Sequence, residues 1–267
     1  MDNTAQVFSD DHVAKSNGTL AKIDWGLLIA QVVSVGLVYV LGSTIPAIPA
    51  IIQAATTGSA EAPELSNLAV WSSVVIGTAL GLLVAWLWLR RDNAVAVAWN
   101  LSRPSIGWPR TIAWAAGATA IIFLIFGIGG AVVEALGWDA PDPSVVLDLV
   151  TENPQMFALW IVGVAWLAAG TGEELLYRGF LMDRLSRVSG LRNRMWLVLV
   201  IQAALFGLPH IYQGWGGVLV TGLVGFFFGW LRLRMKGNLW ACILAHAAVD
   251  TLAMSLAYGE KLGMFSI

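Results

Sequence analysis

The chain has 267 residues, 58% of them hydrophobic and only 12% charged, with a net charge of −2 and a mean hydropathy of +0.74. These values exclude an ordinary soluble domain and fit a helical protein that crosses a membrane several times. A single cysteine, Cys242, excludes an intrachain disulfide framework.

In chain order, residues 1–24 are polar and mixed in charge, without an apolar stretch. They read as a cytoplasmic tail with no cleavable signal, so the first membrane helix is expected to act as an uncleaved one. Crossing a bilayer takes about 20 apolar residues, and seven segments qualify or nearly do: 25–50, 68–89, 111–136, 155–180, 195–212, 215–235 and 239–258. Pro46 and Pro49 predict a kink or stop near the end of the first. The fifth is short and carries Pro209. Loops are short and no internal repeat is evident. The fold class is therefore all-α, a polytopic transmembrane bundle of about seven spans over 25–258, with 259–267 as a C-terminal tail.

Lys and Arg sort to one side if the segments alternate. Lys15 and Lys22 precede the first; Arg90, Arg91, Arg103 and Arg110 follow the second. Arg178, Arg184, Arg187, Arg192 and Arg194 follow the fourth, and Arg232, Arg234 and Lys236 the sixth. The other side receives Lys261 and the acids Glu61, Glu64, Asp139, Asp142, Asp148 and Glu152. The expected placement is a bacterial plasma membrane, N-terminus cytoplasmic and C-terminus outside.

The polar residues within the apolar segments carry the functional signal. Residues 155–171 hold no charge, and then Glu173, Glu174 and Arg178 appear together. Ionisable groups at membrane depth are costly and mark functional sites. Glu174 and Arg178 are four apart with the acid first, the favourable order for a pair on one helix face. That leaves Glu173 free as a candidate general base, its proton affinity raised by poor solvation. His246 and Asp250 are also four apart. Asp250 can fix the imidazole tautomer, or both can face a metal. His210 follows Phe206-Gly207-Leu208-Pro209. At about 1.5 Å per residue, His246 lies about 10 Å from its helix end, Glu173 about 10–15 Å and His210 about 20 Å.

Three ordered patterns, Glu173-Glu174-x-x-x-Arg178, Phe206-x-x-x-His210 and His246-x-x-x-Asp250, together resemble the CAAX protease and bacteriocin-processing family (also called Abi) of intramembrane metalloproteases. The resemblance covers about 155–258, a four-helix core; the first three spans match only in being apolar. It implies hydrolysis of a peptide bond at a site opening to the cytosol. Glu173 takes the position of the activating base and His210 that of its partner at the attacking water. His246 and Asp250 take those of the pair stabilising the tetrahedral oxyanion, and Glu174 and Arg178 the supporting ones. A glutamate-plus-histidine mechanism competes with one in which Glu173, His210, His246 and Asp250 hold a divalent metal, zinc by donor type. An ionised Asp250 cannot donate to an oxyanion as Asn would, so it must be protonated, orient His246 or bind metal. No other cofactor is expected. The implied partners are membrane lipids and a membrane-bound or lipidated peptide, with no nucleic acid. Competing roles are a non-catalytic membrane protein of the same fold, in bacteriocin immunity or scaffolding, and a proton-coupled transporter. No inverted repeat favours the transporter.

Overall fold

The computed structural model describes residues 22–58 and 63–265. Lys15, Glu61, the N-terminal tail up to residue 21 and the last two residues lie outside the described residues. Among the described residues the chain is helical throughout, and its one extended contact is a parallel bridge between Ile23 and Val188.

Helix α1 (Trp25–Thr44) opens on Asp24, whose carboxylate accepts from Leu27 N at 2.7 Å. A 3-10 turn, Ile45–Ala47, leads into α2 (Ile48–Thr57), which ends on Gly58 at φ 67°. Of the expected kink or stop at Pro46 and Pro49, the structure shows the interruption without the stop: the helix breaks into a 3-10 turn and then resumes. Each sits in the first turn of its own short segment, where the missing N–H has no helical acceptor to lose, and the apolar stretch runs on to Thr57. Helix α3 (Asn67–Arg91) is capped by Ser66; the short α4 (Val95–Ala98) and α5 (Trp108–Ala135) follow.

After α6 (Ser144–Val150), Asn153 caps α7 (Pro154–Leu159), which passes into a π-type segment, Trp160–Leu181, and then α8 (Met182–Arg187). The π segment is wider than an α-helix, with i to i+5 bonding, and is unusually long for its kind. Helix α9 (Met195–Gly207), a 3-10 segment (Leu208–Gln213), α10 (Gly214–Arg234) and α11 (Trp240–Lys261) complete the chain.

Among the described residues six stretches are long and apolar enough to cross a membrane. The fifth, Met195–Arg234, is an antiparallel hairpin of α9 and α10 folded at the 3-10 segment, so the chain makes about seven passes. Large apolar side chains such as Ile29, Leu37, Leu124 and Leu223 point outward, and small residues let the helices meet, as expected where lipid is as apolar as the core. Gly207 shows this: a Cβ there would lie 2.4 Å from the Val218 carbonyl oxygen and 3.1 Å from the Gly222 Cα. The helices neighbour one another in the order α1, α3, π segment, α11, α5, α10, α9, and α9 returns to the π segment.

Contacts between ends confirm the alternation. At the arginine-rich end, Ile23 N donates to Arg187 O, Asp92 pairs with Arg184, Leu239 N donates to Asn100 O and Asn238 Nδ2 to Ser102 O. At the other end, Asn67 Nδ2 donates to Leu149 O, Trp71 Nε1 to Leu159 O and Asp142 N to Gln213 O. By the positive-inside rule the first end is expected to face the cytoplasm. Single cysteines at Glu64 and Ser102, both exposed, test this, because the native Cys242 is fully buried. An impermeant thiol reagent added outside intact cells is expected to label Glu64→Cys and to spare Ser102→Cys until the membrane is opened. The reverse pattern would invert the orientation.

Candidate active site

The six residues singled out in the sequence come from three places in the fold. Glu173, Glu174 and Arg178 lie on the π segment, His210 lies in the 3-10 segment, and His246 and Asp250 lie on α11. The approach of α11 to the π segment depends on Gly170, where a Cβ would stand 2.8 Å from the Ala247 Cβ and 3.1 Å from its Cα. With no side chain there, His246 reaches the carboxylate of Glu174 four residues further along.

Glu174 is the centre of the polar network. Its Oε1 accepts from Arg178 Nη1 at 2.9 Å, with both side chains fully buried. The same oxygen accepts from His246 Nδ1 at 2.8 Å. A carboxylate oxygen only accepts, so the proton of that bond sits on Nδ1. The expected partner, Asp250, is instead 3.8 Å from Nε2, outside hydrogen-bond range. The tautomer of His246 is thus fixed by the neighbouring helix, a correction to the pairing read along α11. Glu173 Oε2 stands 4.0 Å from the same Nε2, and the Glu173 side chain is 31% exposed. One imidazole is therefore bracketed by two adjacent carboxylates, one buried and engaged, the other open to its surroundings.

His210 joins this cluster through an aromatic ring rather than a polar contact. The helix ends at Gly207, and the 3-10 segment carries His210 at φ −85°, ψ 15°, with its Nδ1 3.0 Å from the Phe206 carbonyl. That carbonyl can only accept, so in the neutral ring Nε2 is bare and can accept a proton. The Phe206 ring lies 5.3 Å from the His210 ring and 6.2 Å from that of His246.

Two participants escaped the sequence reading. Phe228 of α10 stacks on His246 with centroids 5.3 Å apart, and with Phe206 it sandwiches Arg178, whose Cζ is 4.8 and 4.0 Å from the two ring centroids. Gly225 offers its carbonyl to Arg178 Nη2 at 3.3 Å and to the buried Gln202 Nε2 at 2.7 Å. Neither residue is titratable, and α10 has no charge before Arg232, so nothing in the sequence marked it as part of the site.

Among the described residues, no three His, Cys, Asp or Glu side chains are set to share one metal ion. His246 commits Nδ1 to Glu174, and Glu173 and Asp250 stand 4.0 and 3.8 Å from Nε2. Two donors on one zinc keep nearer to about 3.3 Å. The donors as placed do not close on an ion.

The two glutamates should respond differently to neutralisation. Glu174→Gln leaves the Arg178 charge buried with its ion-pair partner gone, and such a loss costs about 3–5 kcal/mol. A lower melting temperature and a lower folded yield are expected. Glu173→Gln changes a half-exposed group with no close partner, and stability close to wild type is expected. Equal melting temperatures for the two variants would count against this division.

Beside this geometry stands one likeness to known proteins. No curated protein and no solved structure matches the chain. Residues 154–252, which hold all three sequence patterns, match the family model described as Type II CAAX prenyl endopeptidase Rce1-like, the protease family that those patterns resemble.

Proposed function

We propose that this protein is an intramembrane endopeptidase that hydrolyses a peptide bond in a lipidated or membrane-bound polypeptide, with water activated by Glu173. The observation that carries this reading is the double use of Glu174 Oε1. By accepting from both Arg178 and His246 Nδ1, it neutralises a buried charge and turns Nε2 of His246 toward Glu173 and Asp250.

In the proposed reaction Glu173 removes a proton from water, and His210 Nε2 accepts the water's other hydrogen in a hydrogen bond that aims the oxygen. The oxygen adds to the scissile carbonyl carbon, and negative charge moves to the carbonyl oxygen. With Nδ1–H already given to Glu174, His246 can donate to that oxyanion only as the imidazolium; Asp250 serves either as its counter-ion or, protonated, as a second donor to the oxyanion. Collapse of the tetrahedral species breaks the C–N bond, and the proton held by Glu173 passes to the leaving amine. Preorganised donors at a developing oxyanion are among the largest single contributions to such catalysis.

Purified protein in lipid vesicles is expected to cleave a prenylated peptide, and Glu173→Ala to lower the rate by about 10²–10⁴. Absence of turnover in the wild type on both prenylated and unprenylated peptides would favour a non-catalytic member of the same fold. Asp250→Asn separates two forms of the mechanism. Retained activity is expected, because Asn supplies the N–H donor that ionised Asp lacks. A fall of about 10²–10³ would make the counter-ion indispensable. Activity is also expected to survive a chelator. Loss under chelation, restored by zinc, would replace the metal-free route.

A further inference from the structure

A second buried group of charges, unconnected with the candidate active site, lies at the arginine-rich end. Asp183 and Arg184 on α8 are 4% and 0% exposed, Arg187 on the same helix is 5%, and Arg232 near the end of α10 is 8%. Asp183 Oδ1 accepts from Arg187 Nη2 at 2.8 Å, and its Oδ2 is 3.2 Å from Arg184 Nε. Arg184 also pairs with Asp92, in the turn after α3. Arg232 lies within Coulomb range of Asp183, and its Nη2 donates to Ala98 O at 3.4 Å. Of the five, Asp92 reaches furthest out, with 20% of its side chain exposed.

The group does not balance. Three guanidinium charges face two carboxylates, which leaves an excess of one positive charge in a poorly solvated place. The donors are also incompletely used. Arg184 Nη2, Arg187 Nε and Nη1, and Arg232 Nε are buried without a hydrogen-bond partner among the described residues, whereas Arg184 Nε is at least faced by Asp183 Oδ2. An unpaired buried charge and orphaned N–H groups are each expensive, and one ligand removes both costs: an oxyanion with several acceptor oxygens. Guanidinium groups are suited to phosphate, whose oxygens accept two parallel N–H bonds from one fork. A bilayer crossed by these spans would bring its headgroup phosphates toward this end.

We infer that Arg184, Arg187 and Arg232 form a binding site for a phosphate-type oxyanion, supplied by an anionic lipid headgroup or by free phosphate. The site is distinct from the general attraction of exposed arginines to a charged membrane surface, because its donors are buried and partly committed to Asp183 and Asp92.

The test compares melting midpoints of the full chain in phosphatidylcholine nanodiscs, in discs that also contain phosphatidylglycerol, and in phosphatidylcholine discs with added inorganic phosphate, at constant ionic strength. Saturating ligand is expected to raise the midpoint by about 5 °C. A rise with phosphatidylglycerol alone identifies the lipid as the source, and a rise with inorganic phosphate identifies the free anion. Arg232→Gln is expected to abolish the shift. Arg187→Lys, which keeps the charge but loses the fork, serves if that variant does not fold, and is expected to reduce the shift. The exposed pair Arg192→Gln and Arg194→Gln is expected to leave it intact. No shift with either anion, an unchanged shift in the Arg232 or Arg187 variant, or loss of the shift in the exposed pair would each overturn the proposal.

Discussion

One buried carboxylate oxygen, Glu174 Oε1, holds the centre of this protein together. It receives Arg178 from its own helix and His246 from α11. In a membrane core neither the arginine nor the imidazole can rely on water, so the oxygen answers two needs at once. The remaining charge of Arg178 is spread over the faces of Phe206 and Phe228 and the Gly225 carbonyl. Four elements therefore meet around Glu174: the π segment, α9, α10 and α11. Removing a partner from such a pair costs far more than never having built it. This makes the arrangement a demanding one for a structural role alone and a reason to look for chemistry beside it.

The width of the π segment matters for the two adjacent glutamates. In an α-helix successive side chains diverge by about 100°, whereas i to i+5 bonding reduces that to about 80°. Glu173 and Glu174 can then approach the same imidazole from neighbouring directions, one at Nδ1 and one near Nε2. At Gly170 a Cβ would lie only 2.6 Å from the Ala165 carbonyl oxygen, five residues back. Residue 170 thus has two reasons to lack a side chain: the Ala165 carbonyl on its own helix and Ala247 on the other.

How much of this was legible in the sequence depended on how local each interaction is. The Glu174–Arg178 pair lies within one turn and could be read from spacing, as could the apolar segments and the sorting of arginines to one side. The partner of His246 could not. Asp250 occupies the obvious position one turn away on the same helix, but the ring turns toward Glu174 because Gly170 brings the π segment so close. Depth counting placed His210 apart from the others because it treated 195–212 as one straight helix; the 3-10 segment after Gly207 changes the path, and Phe206 bridges the rings. Pro46 and Pro49 announce the 3-10 break in the first span, but the sequence does not show that the apolar stretch runs on past them to Thr57.

The spans outside the matched segment act on the site through contacts with glycine. Gly163 leaves room for the Trp71 indole, Gly172 for the Thr78 methyl and Gly179 for Trp99, at 2.5, 2.4 and 2.5 Å from where a Cβ would be. Trp71 and Trp99 also donate to the carbonyls of Leu159 and Leu175. Gly172 and Leu175 flank the two glutamates in sequence, so α3 and the segment after α4 brace the π segment on both sides of its charged turn. Gly170 meets α11 within the same stretch. A helix bearing adjacent carboxylates gains no rigidity from water at this depth, and contacts this close supply it. The spans that precede the matched segment thus help to fix where Glu173 and Glu174 stand relative to His246.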